Sequence, residues 1–97
     1  MSIAHQNVAL AVHKARDEAK AILQQHETRG HPDTARSSGL YLALVMLQKR
    51  LLAVDPPPPP IAAFIPELEQ LGSECNGTLV PIKPLLEEAL RVARGTN

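Results

Sequence analysis

Apolar and small residues recur early in the chain at Val8, Val12, Ala15, Ala19 and Ile22, in alternating steps of four and three. That is the period of an amphipathic helix with a narrow apolar seam, and it predicts a helix over about residues 2–28. Ser2 suits the N-cap, Gly30 the C-terminal stop, and His31-Pro32 blocks continuation. Lys14, Asp17, Glu18 and Lys20 take the opposite face, with Lys14 and Glu18 at the spacing that supports a helix in water. The two seam alanines let a neighbouring helix approach closely.

Leu40, Leu44, Leu47, Leu51 and Val54 repeat the stepping and predict a second helix over about 33–54, with Asp33 as its cap and Gly39 as a mild weakness. Within it, LYLALVML (40–47) is apolar without a break. Leu, Ala and Met decide for helix over buried strand. A run of eight covers every direction around a helix, so one amphipathic neighbour cannot bury it. This helix is expected to be central, or shared with another chain.

Five prolines, Pro56 to Pro60, follow. They cannot continue a helix; as polyproline II they span ~15 Å, about the end of a small bundle. The run reads as a stiff connector. Its other reading, a ligand for a proline-recognising domain, lacks a basic flanking residue, since its neighbours are Asp55 and Ile61. Pro66 opens a short helix over 66–72. SECNGTLVP is a loop with an Asn76-Gly77 turn. A last helix over about 82–94 has Glu87 and Glu88 early and Arg91 and Arg94 late, the order its dipole favours. The expected fold is one all-α domain: two long antiparallel helices, a proline connector and two short helices. No internal repeat is visible.

Composition narrows the function. Lys and Arg balance Asp and Glu at net charge zero, and the chain has one Phe, one Tyr and no Trp. A nucleic-acid surface draws on a basic face and, for single strands, on stacking aromatics, so no nucleic-acid partner is expected. The longest apolar stretch falls far short of the ~18 residues of a membrane span. MSIAHQNVAL lacks a basic segment followed by an apolar one, so no signal peptide is expected and a cytoplasmic location is. Cys75 is the only cysteine, which excludes an intramolecular disulfide.

Candidate chemistry is sparse. His5, His13, His26 and His31 include no pair at i and i+4, so no metal site is expected, although His26 and His31 can meet at the turn. Cys75 has Glu74 beside it and no nearby base, and reads as a plain loop thiol. Asp17-Glu18, Glu67-x-Glu69 and Glu87-Glu88 lack the inward-aiming spacing of di-metal bundles and read as solvated charge. HETRGHPDTARSSG (26–39) is the most polar stretch and reads as an ordinary connection. No catalytic residue and no cofactor are expected. The leading expectation is a non-enzymatic, self-associating helical protein that acts through protein–protein interaction. Its homodimer interface would comprise Tyr41, Leu42, Val45, Met46 and Leu52, the apolar residues of helix two beyond the stripe that packs on helix one. The alternatives are a small-ligand-binding bundle with a pocket lined by Tyr41, Leu44, Leu47 and Phe64, and an enzyme whose site forms across a dimer interface.

Overall fold

The computed structural model describes residues 2–95. They form four α-helices: α1 (Ile3–Arg29), α2 (Thr34–Leu51), α3 (Ile65–Ser73) and α4 (Lys83–Gly95). Short 3-10 segments, Ile61–Phe64 and Gly77–Ile82, precede α3 and α4, and no strand occurs among the described residues. The chain is an all-α bundle led by two long helices.

Ser2 caps α1, its hydroxyl oxygen accepting from the His5 N–H at 3.1 Å. Gly30 closes the helix at φ 61, a left-handed turn that glycine adopts without a Cβ clash. The His31 N–H then reaches back to the His26 carbonyl at 2.9 Å. The chain reverses within a few residues, and α2 returns antiparallel to α1. Two side-chain bonds fix the register: His26 to Ser37 at 3.0 Å near the turn, and His13 to Gln48 at 3.2 Å farther along.

Asp33 stands at the cap position of α2 but makes no capping bond with its side chain. Its carboxylate instead accepts from the Thr78 hydroxyl at 2.8 Å and faces the Arg36 guanidinium at 3.4 Å. That stitches the start of α2 to the segment before α4. The helix ends at Leu51, three residues short of Val54. The last turn tightens there: the Leu52 N–H still reaches the Gln48 carbonyl at 3.1 Å, but the Ala53 N–H takes the Arg50 carbonyl, three residues back, at 3.4 Å. The loop expected at SECNGTLVP winds into a 3-10 segment from Gly77, whose φ of 59 makes the entry turn, and the Leu79 N–H bonds the Asn76 carbonyl at 3.0 Å.

α1 is the central element: α2 packs along one side of it, α4 along the other, and α3 lies on α4. Its seam is small, with Ala15 and Ala19 completely enclosed beside Val8 and Val12. Close approach of this kind suits a core nearly without aromatics. From α2 the core receives Leu40, Leu44, Leu47 and Leu51; from the short elements it receives Phe64, Leu68, Leu79, Ile82 and Leu86. Leu44 and Leu47 are sealed in this packing and Phe64 nearly so, so together with half-buried Tyr41 they build core rather than the wall of an open pocket. α2 is therefore a flank helix. Of the two outcomes its apolar run allowed, central or shared, the central position belongs to α1.

Candidate functional site

The apolar residues of α2 beyond its core stripe divide into two sets. At 3.6 residues per turn, Leu42 and Met46 fall opposite the stripe, in line with Ala35 and Gly39, and are 55% and 64% exposed. Tyr41, Val45 and Leu52 fall on the flank that carries Gln48; Tyr41 and Val45 are half-buried and Leu52 lies open at the rim. The other flank faces α3. There Arg50 pairs with Glu67, and Arg36 donates to the Asn76 side-chain oxygen at 2.8 Å. Around the Arg36 tie, α2 and α3 stand apart, leaving a groove of about 430 Å³ whose walls include Arg36, Gly39, Leu40, Ser73, Asn76 and Leu79. Exposed polar residues on α2 are basic or neutral, and the helix has no acidic residue.

The histidines separate by position. His13 is half-exposed and sits between Gln48 and Asp17, the latter at 3.2 Å. His5 and His26 are buried at opposite ends of α1. His5 donates from Nε2 to the Pro59 carbonyl at 2.7 Å and accepts at Nδ1 from the Ser2 hydroxyl. Its ring meets Phe64 edge-on, with centroids 6.2 Å apart. His26 and His31 do meet at the turn: their rings stack 4.4 Å apart and 17° from parallel. They stand at a cleft of about 320 Å³ that also includes Glu18, Gln25, Arg29, Thr78 and Pro81.

Ser37, the bonding partner of His26, was not among the expected functional residues, yet it is completely buried. Its position was readable. Ser37 continues the Leu40, Leu44, Leu47 stripe one step back, and His26 continues the Ala19, Ile22 seam one step on. A hydroxyl and an imidazole on facing apolar stripes must find each other, because unpaired polar groups in a core are costly.

The acidic clusters sit in surface ion pairs: Asp17 with Arg16 at 3.4 Å, Glu69 with Arg94 at 3.0 Å, and Glu88 with Arg91 at 2.9 Å. Pairs this exposed contribute little stability. Hydrogen bonds from Arg91 hold the Glu88 carboxyl below its usual range, as the Thr78 hydroxyl and the Arg36 charge do for Asp33. Cys75 lies in a loop but points into the core, donating to the Leu71 carbonyl at 3.3 Å, and burial pushes its thiol up. Among the described residues, no three His, Cys, Asp or Glu side chains converge as a metal ligand set, and no helix is long and apolar enough to cross a membrane.

Comparison with models of known protein families, with curated proteins and with solved structures yields no match.

Proposed function

We propose that this chain is a non-enzymatic helical protein that acts through protein–protein contact and pairs with a second copy of itself through the outward face of α2. One observation carries the reading: α2 is a flank helix whose apolar run continues past its core stripe, leaving Leu42 and Met46 mostly exposed beside half-buried Tyr41 and Val45. Exposed aliphatic area is unfavourable by ~25 cal/mol per Å² relative to burial, and symmetric pairing is the commonest way to cover it. The charges permit it. An antiparallel pairing centred between Leu42 and Met46 sets Lys49 opposite Gly39, Arg50 opposite Ser38 and Arg36 opposite Leu52, so no two cations face each other directly. Small Ala35 and Gly39 let the helices approach.

In the same reading the proline run is a connector. The His5 bond to the Pro59 carbonyl supports this by tying the run to the start of α1. A cytoplasmic location belongs to this reading as well, since the single cysteine is kept as a buried thiol.

Sedimentation of the unmutated protein at micromolar concentration tests the proposal, and a dimer is expected. Met46→Glu should give a monomer that keeps its fold, because this side chain lies outside the protomer core. Lys49→Glu, farther toward the polar half, should have a milder effect. A well-folded monomer of the unmutated chain would overturn the reading.

A further inference from the structure

The cleft at the α1–α2 turn contains a buried imidazole with one nitrogen committed and one free. His26 is buried, only 6% exposed. Its Nδ1 lies 3.0 Å from the Ser37 Oγ, which lies 3.0 Å from the Thr34 carbonyl. A carbonyl can only accept, and the hydroxyl has one proton. The hydroxyl therefore donates to Thr34, and its oxygen accepts the His26 Nδ1–H. In the neutral ring this leaves the lone pair on Nε2, which has no hydrogen-bond partner among the described residues. No side-chain nitrogen or oxygen among those residues is both sealed from solvent and unbonded, so Nε2 opens onto the cleft that His26 lines.

His31 presents the complementary group. Its Nδ1 accepts the Asp33 backbone N–H at 2.9 Å, so the proton of the neutral ring is on Nε2. The two stacked rings thus offer one acceptor and one donor. A bridging cation is the wrong occupant, since the His31 Nε2 is protonated and no third ligand converges. Arg29 lines the same cleft and has no ion-pair partner among the described residues. The charged and titratable groups around His26 are then Arg29 and Glu18 on its own helix, His31 and Asp33 in the turn, with Asp33 already held by Thr78 and Arg36.

We propose that this cleft binds free phosphate as hydrogenphosphate. The P–O–H donates to the His26 Nε2, and the remaining oxygens accept from the His31 Nε2–H and the Arg29 guanidinium. Glu18 lines the same cleft and repels every dianion alike, so the selection rests on His26. The proton is what the site recognises. Sulfate has the same shape and, at pH 8, the same charge, but it would set an oxygen lone pair against the Nε2 lone pair. A site built to accept a ligand's hydroxyl proton rejects the analogue without one. This inference does not depend on self-association.

The test uses the full chain labelled with ¹⁵N-histidine, titrated at pH 8, where an ordinary imidazole is neutral, at matched ionic strength. Long-range ¹H–¹⁵N spectra should show His26 protonated at Nδ1 and His31 at Nε2. Inorganic phosphate should give saturable shifts at both rings, with sulfate weaker by about ten-fold or more. Methyl phosphate, whose second ionisation near pH 6 leaves it without a proton at pH 8, should behave like sulfate, which separates free phosphate from phosphate esters as the source. Arg29→Gln, at an exposed position that leaves the core intact, should weaken phosphate by about ten-fold. Equal binding of phosphate, sulfate and methyl phosphate, no saturable response to phosphate, or His26 protonated at Nε2 in the free protein would each overturn the proposal.

Discussion

The two ends of α1 each bury a histidine, and they use it differently. At the N-terminal end both His5 nitrogens are engaged, one by the Pro59 carbonyl and one by the Ser2 hydroxyl, with Phe64 against the ring edge. That imidazole is a latch. At the C-terminal end His26 has one nitrogen on Ser37 and the other open to a polar cleft, with a second imidazole stacked on it. The two residues are about equally buried, at 9% and 6% exposure, so burial does not separate them. The count of committed nitrogens does. A histidine with both nitrogens bonded inside the protein has nothing left for a ligand.

The largest expected effect asks whether the ends belong to one cooperative unit. Leu47→Ala removes a completely enclosed side chain between them and should destabilise by about 2–5 kcal/mol. Urea unfolding followed by the His5 and His26 ring protons should give one midpoint for both. Two midpoints would mean that the ends differ because they fold separately.

The next effect is confined to the open end. Ser37→Ala removes the hydroxyl without adding bulk at this completely enclosed position and leaves the His26 Nδ1–H without its acceptor, at about 1–3 kcal/mol. The same variant should free His26 to exchange tautomers in ¹⁵N spectra while His5 is unchanged. An unaltered His26 tautomer would mean that Ser37 does not set it.

At the closed end the effect should be smaller, because the Pro59 carbonyl is on an exposed residue that water can satisfy. His5→Ala should cost about 1 kcal/mol. Replacing Pro57 to Pro59 by Gly-Ser-Gly should also be modest, acting through the freer unfolded chain. If the latch works by holding a stiff connector, the combined variant should lose less than the sum of the two, since the contact is then shared. Strict additivity in thermal melts would separate His5 from the run.

The smallest effect is an acid response at the open end. Asp33 is held below its usual range by the Thr78 hydroxyl first and by Arg36 and His31 charge after it. A carboxyl depressed in the folded state binds fewer protons there than in the unfolded chain. Its stabilising contribution is therefore present above about pH 4 and is lost as pH falls further. Asp33→Asn should flatten the decline in melting temperature between pH 5 and pH 3. Glu88, depressed by Arg91, contributes in the same direction, so the flattening should be partial; a complete loss of the acid response would place all of it at Asp33.

Much of this was legible from residue spacing. The Val8, Val12, Ala15, Ala19, Ile22 seam and the Leu40, Leu44, Leu47, Leu51 stripe announce two long helices, because a helix face is a local property of a chain with 3.6 residues per turn. Gly30 and the prolines announce where they stop, because backbone sterics and missing donors act within a few residues. The stop at Leu51 instead of Val54 was not legible, because the tightened last turn at Ala53 leaves no mark in the spacing. His26 and Ser37 were visible as polar residues on apolar stripes, and the turn between them was visible too.

Spacing alone determined which residues share a face; only the tertiary structure decided which face meets which. LYLALVML says that α2 is apolar nearly all round, but not that α1 takes the centre and leaves Leu42 and Met46 outside. That choice comes from the summed packing of all the elements, in which the small Ala15 and Ala19 seam admits a helix on either side. Likewise the sequence shows four histidines of one chemical kind. The Pro59 carbonyl, 54 residues from His5, closes one ring; Ser37, 11 residues from His26, orients another and leaves its far nitrogen open. Proton positions on an imidazole are set by the acceptors and donors that folding brings to it, and for His5 and His26 the deciding ones come from other elements of the fold.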